Sequence, residues 1–185
     1  MTTLNEYLAQ KRDAILTRRA AAERGEGRGP HQLRAETTAE GRSGVRRIRI
    51  RDFQIIMDSG PDFAGYDLGP SSPELQLGVL SSCLTHIYLI QAADRQVPLD
   101  SLRVEVTGTM HPQAGQAGLE DVPIYPHQLH YTVHLESPAS EEELRDLHEA
   151  VERNCPIFNL LREPQQVTGT VINHAAARET VDVAV

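Results

Sequence analysis

Apolar and polar positions alternate along this chain with two periods, and the period changes from one stretch to the next. Leu4, Tyr7, Leu8, Ile15 and Leu16 recur at near-helical spacing up to Ala22, behind a Thr3–Glu6 pair with the form of a capping box. Glu23 to Pro30 is a linker by composition. From Gln32 to Asp58 the period drops to two. Leu33–Ala39, Val45–Arg51 and Phe53–Met57 read as strands, the first two joined by the turn Glu40-Gly41-Arg42-Ser43-Gly44. A Gly/Pro/Asp loop from Ser59 to Ser72 leads into the longest apolar run of the chain. With Ser72 as cap and Pro73 in the first turn, it predicts a helix from Glu74 to about Ala93. Its apolar residues occupy nearly every side, which predicts a buried helix at the centre of the fold.

Beyond it, Leu102–Met110 and His127–Leu135 alternate as strands around an irregular loop from Gln113 to Pro126. Ser140 and Glu143 cap an amphipathic helix to about Arg153. Cys155-Pro156 opens a short further helix, and Val167–Ile172 and Thr180–Val185 are the expected closing strands. Strands, helix, strands, helix, strands make an α+β class with mainly antiparallel sheet. The expected division is residues 1–30 as a peripheral helix with its linker, removable without loss of folding, and 31–185 as the main domain.

Charge and composition narrow this further. A net charge of −8 and a pI near 5.4 argue against a general nucleic-acid binder. Aromatic residues are few and Trp is absent, so the core is aliphatic. The central helix is long enough for a bilayer, but Glu74, Gln76, Ser81, Ser82, Thr85, His86 and Gln91 argue against lipid. No membrane partner is expected. The polar first helix has no signal-peptide character and two cysteines do not make a secreted disulfide framework, so a cytoplasmic location is expected. Scattered His residues with two Cys lack metal-ligand spacing, and no metal is expected.

Two thiols remain as candidate chemistry. Cys83 lies mid-helix among apolar residues with His86 on the same flank. A buried small hydrophobe, an activated nucleophile and a Cys–His hydrolase or transferase pair are all open for it. Cys155 precedes Pro156 at a helix start, where free N–H groups favour a thiolate. On that ground Cys155 is the more acidic of the two. Arg47, Arg49 and Arg51 form a row on one strand face, read as solvated.

The stretch Gly69-Pro70-Ser71-Ser72-Pro73-Glu74-Leu75-Gln76-Leu77-Gly78-Val79-Leu80-Ser81-Ser82-Cys83, followed by Cys155-Pro156-Ile157, resembles the OsmC/Ohr family of osmotically inducible and organic hydroperoxide resistance proteins. The resemblance covers about Leu33 to Ile172 and is closer to the OsmC-like branches. It implies an OsmC-like fold, with antiparallel sheets wrapped around central helices in an intertwined homodimer. It implies reduction of an organic hydroperoxide by Cys83 as the attacking thiol. Cys155 then resolves the sulfenic acid through an intrasubunit disulfide, and an external dithiol reopens it without an organic cofactor. Arg42, after a Gly in the early hairpin turn, matches the family arginine that stabilises the thiolate. The hydroperoxide-resistance branch holds that arginine with a glutamate ten residues before the cysteine. Here that position is Pro73, and Glu74 lies nine before, on the opposite helical face. Glu74 and His86 are supporting candidates. The alternative is a protein of this fold that binds a small apolar ligand without efficient turnover.

Overall fold

The computed structural model describes residues 3–26 and 29–174. Helix α1 (Leu4–Glu23) is followed by strands β1 (Glu36–Ala39), β2 (Arg46–Ile50) and β3 (Phe53–Met57). The long helix α2 (Ser72–Arg95) comes next, then strands β4 (Ser101–Thr109) and β5 (His127–Glu136) and helices α3 (Glu141–Asn154) and α4 (Pro156–Arg162). The class is α+β, with two separate antiparallel sheets of order β1-β2-β3 and β4-β5.

All three long helices begin with a reciprocal cap, and the sequence carries two of those signals at the residues the structure uses. Thr3 pairs with Glu6 and Ser140 with Glu143. In α2 the cap is Ser71 rather than the expected Ser72. The Ser71 hydroxyl and N–H both donate to the Glu74 carboxylate, at 2.6 and 2.7 Å. The register moves by one because a capping box needs the carboxylate three residues after the cap. Pro73 then falls in the first turn, where no N–H is needed.

One face of α2 forms the core. Leu80, Leu84, Ile87, Tyr88, Ala92 and Ala93 are buried together with Leu147 and Val151 of α3, Leu8 of α1, Leu99 and Cys155. The inward residues of the β4–β5 hairpin, Leu102, Val104, Val106, Tyr131, Val133 and Leu135, lean on this core. They pair in register, Val104 opposite Val133 and Val106 opposite Tyr131. The other flank of α2 is not covered: Val79 remains 38% exposed. The helix is thus buried on one side within the chain, not all round. By length and composition α2 could cross a membrane, though α1, α3, α4 and β4 all pack on it.

The β1–β3 sheet stands apart. It packs on none of the helices to any extent, and Ile50, Phe53 and Ile55 are exposed. Its link to α2 is a folded loop built on Asp58, whose Oδ2 accepts the N–H groups of Tyr66 at 2.9 Å and Leu68 at 3.3 Å. Gly65 is required here: a Cβ would lie 1.9 Å from the Ser59 carbonyl oxygen. Strand β1 is shorter than the predicted Leu33–Ala39 segment. Arg51 leaves the arginine row, because it takes a positive φ in the β2–β3 turn. Arg47 is engaged by Glu40 at 2.7 Å.

The N-terminal helix is docked on α2. Leu8 is buried, Asn5 Oδ1 accepts the Leu99 N–H at 2.9 Å, and Arg19 forms two bonds to Asp94 at 2.6 and 2.7 Å. Arg12 donates to the Ala93 and Asp94 carbonyls at the end of α2, where a cation meets the negative end of the helix dipole. The helix expected to be peripheral is thus packed on α2, with Leu8 inside the core. Val167–Ile172 forms no strand; Val167, Val171 and Ile172 are exposed, because no neighbouring strand edge meets them within the described residues. The expected strand Thr180–Val185 lies outside the described residues.

Candidate functional site

Cys83 sits halfway along α2, one turn beyond Val79, and Cys155 sits at the corner where α3 ends and α4 begins. Cys155 takes an extended conformation (φ −79°, ψ 111°), so it closes one helix and caps the next. Its N–H still donates to the Val151 carbonyl at 2.9 Å. Asn159 fixes the corner from the other side, its carboxamide donating to the Cys155 carbonyl at 2.8 Å and the Glu152 carbonyl at 2.9 Å. Sequence reasoning missed Asn159; an amide four residues after a helix-capping Cys-Pro was the available signal.

The packing of α4 on α2 brings the two sulfurs to 3.5 Å, both as free thiols. The Cys155 S–H donates to the Cys83 sulfur, so Cys83 is the acceptor of the pair. Burial pushes the Cys155 thiol up, and the adjacent Cys83 adds to this. The amides of Phe158 and Ile157 pull the other way but do not outweigh them. The helix-start argument made Cys155 the more acidic thiol. The structure reverses the sign for Cys155, because desolvation of a fully buried sulfur exceeds the pull of a few amides.

Cys83 is half-buried and opens onto a shallow depression of about 470 Å³ with Leu75, Gly78, Val79, Ser82 and His86. The Ser81 and Thr85 hydroxyls are committed to the carbonyls of Gly78 and Ser81, not to the thiol. His86 borders the same depression but is exposed, and no hydrogen bond joins it to Cys83. Glu74 is spent on the helix cap, and its carboxyl is held low by the Ser71 hydroxyl and N–H. Arg42 is exposed in its turn and contacts neither cysteine within the chain. No cluster of metal-ligating side chains occurs among the described residues.

A second polar group, unpredicted from sequence, lies between α2, β5 and α3. The Tyr88 hydroxyl bonds His148 Nδ1. The Tyr131 hydroxyl lies 3.3 Å from His148 Nε2 and donates to Glu152 at 2.6 Å. Its four members come from three elements, and no spacing in the sequence joins them.

Comparison with known proteins places this geometry in context. A family model described as OsmC-like protein matches residues 65–169. The matched span contains both cysteines and leaves Arg42 and the β1–β3 sheet outside. The hydroperoxide reductase of Mycoplasma pneumoniae is 28% identical over 117 residues, 62% of this chain and 77% of the relative. Its counterpart in Mycoplasma genitalium is 28% identical over 112 residues, 60% of this chain and 73% of that relative. Among solved structures, an OsmC-like protein of Mycoplasma pneumoniae superposes with a TM-score of 0.61 at 19% identity, covering 72% of this chain and 89% of its own.

Proposed function

The chain belongs to the OsmC-like protein family, and from that premise we propose that it is a thiol-dependent reductase of organic hydroperoxides. Curated relatives named hydroperoxide reductase support peroxide chemistry at the level of the family. The single observation that carries the finer reading is the Cys155 S–H donating to Cys83 at 3.5 Å.

In the proposed cycle, the Cys83 thiolate attacks the distal oxygen of ROOH. The O–O bond breaks, ROH leaves after taking a proton, and Cys83 becomes a sulfenic acid. Cys155 gives up its proton and attacks the Cys83 sulfur; the S–O bond breaks, water leaves and a disulfide forms. An external dithiol reduces that disulfide by two exchange steps and is itself oxidised. The sulfurs start 3.5 Å apart and a disulfide needs about 2.05 Å, so the closure is small. A raised Cys155 pKa suits a resolving thiol that stays protonated until Cys83 has reacted. No metal or organic cofactor enters the cycle.

The working form is proposed to be a homodimer. The uncovered flank of α2 around Val79 and the exposed Phe53 and Ile55 of the detached sheet are apolar surfaces that a second copy would cover. In such a dimer Arg42 reaches a thiolate across the interface. The cytoplasm is the proposed location, because two cysteines in a chain of this size do not make a secreted disulfide framework.

The test is dimedone trapping with mass spectrometry after one equivalent of cumene hydroperoxide. Wild type should give the Cys83–Cys155 disulfide, Cys155→Ser a trapped sulfenic acid at Cys83, and Cys83→Ser no consumption. A sulfenic acid at Cys155 in Cys83→Ser would reverse the roles, and oxidation of neither cysteine would remove the reductase reading.

A further inference from the structure

A trough of about 740 Å³, larger than the depression at Cys83, runs between α2, β5, α3 and α4. Its walls are aliphatic and aromatic, chiefly Leu80, Leu129, Val133, Leu144, Phe158 and Leu161, and neither cysteine lines it. The volume lies in the range of small-molecule sites, about 300–1,000 Å³.

The polar groups in its lining are arranged in a particular way. Tyr131 donates its proton to Glu152, so its oxygen accepts from His148 Nε2–H. That leaves His148 Nδ1 as the acceptor for the Tyr88 hydroxyl. Every proton of this chain is committed, so the Tyr88–His148–Tyr131–Glu152 group offers no donor to a ligand. The donors left over are Arg162, His130 and the exposed Thr132 hydroxyl, of which Arg162 alone carries a fixed positive charge. The Arg162 guanidinium lies over the Phe158 ring at 5.3 Å; its Nε pairs with the Glu163 carboxylate at 3.7 Å in a solvent-exposed ion pair, and its two terminal NH2 groups make no hydrogen bond among the described residues. The His130 imidazole makes no hydrogen bond among the described residues. An apolar trough thus carries a cationic donor in a chain whose net charge is −8.

We propose that the trough binds an apolar monocarboxylate, with its hydrocarbon along the Leu and Phe158 walls and its carboxylate on Arg162. A planar guanidinium matches a carboxylate with two parallel hydrogen bonds, which an alcohol cannot use and an alkylamine opposes. Among the described residues, 163–174 do not fill the space. That segment lies in solvent, with Val167 89% and Val171 97% exposed. The site is separate from the thiol pair and does not depend on the reductase reading.

The test uses the full chain and displacement of a dansyl-labelled undecanoate, read by fluorescence, with dodecanoate, dodecanol and dodecylamine as competitors. Dodecanoate should bind saturably, one per chain, and dodecylamine should not compete. Arg162→Glu should weaken dodecanoate by about tenfold or more, as loss of a charge-assisted bond does, while dodecanol changes by less than about twofold. Leu161→Glu, at a half-exposed wall position that should tolerate the change, should weaken both ligands. Cys83→Ser should change neither, whatever the outcome for peroxide. Non-saturating uptake, equal effects of Arg162→Glu on acid and alcohol, or loss of binding in Cys83→Ser would overturn the proposal. So would binding that appears only in a chain ended at Pro164, since the trough would then belong to the protein's own tail.

Discussion

A chain that starts at Gly29 lacks α1 and should be at least about 3 kcal/mol less stable than the full chain, judged from four contacts. Leu8 is 5% exposed in the core, and removing a buried leucine side chain costs about 2–5 kcal/mol. Asn5 accepts the N–H of Leu99, a fully buried residue, and leaving such a donor unpaired costs about 1–3 kcal/mol. The Arg19–Asp94 pair is exposed to solvent and adds little. Arg12 at the end of α2 contributes about 0.3–1 kcal/mol through the helix dipole. Domains of this kind are stable by about 5–15 kcal/mol, so the loss is a large share of the total. With no Trp in the chain, urea unfolding is best followed by far-ultraviolet circular dichroism. Leu8→Ala alone should cost about 2–3 kcal/mol and Asn5→Ala about 1 kcal/mol, which separates burial from hydrogen bonding. A shortened chain within about 1 kcal/mol of the full one would refute the reasoning and return α1 to a peripheral role.

Asp58 is fully buried, and its carboxyl is pushed up by burial. The amides of Ser59, Tyr66 and Leu68, with Arg46, more than offset this and hold it below the ordinary 3.8. Because the folded pKa lies below the unfolded one, this stabilisation is present above about pH 4 and is lost as pH falls through the folded pKa. Asp58→Asn should be less stable at neutral pH and show a smaller acid-dependent fall in urea midpoint; parallel curves would show that Asp58 carries none of it. Arg42→Ala should raise the pH needed for iodoacetamide to alkylate Cys83, since a nearby cation favours the thiolate. Within one chain Arg42 touches neither cysteine, so an unchanged profile would remove both the thiolate role and the reason to bring Arg42 across a dimer interface.

Much of the local structure could be read before any coordinates. The Thr3–Glu6 and Ser140–Glu143 caps are pairs three residues apart. The Leu129, Tyr131, Val133, Leu135 face of β5 follows from a two-residue period, and Cys155-Pro156 marks a helix start by its own chemistry. These signals are short-range, and a few neighbouring residues suffice to generate them. Likewise, the motifs around Cys83 and Cys155 were enough to point to the family. What only the tertiary structure decided are meetings between residues far apart in the chain. Cys83 and Cys155 stand 72 positions apart, and nothing in that separation dictates a 3.5 Å approach; the packing of α4 on α2 does. Tyr88 and His148, 60 positions apart, join with Tyr131 and Glu152 because three elements share one core. The sign of the Cys155 shift also depends on that core, since desolvation is set by what surrounds a group and not by its neighbours in sequence. Val167–Ile172 has a strand's alternation but no strand, because a β ladder needs a second edge to bond to, and a pattern along one chain does not say whether one is supplied.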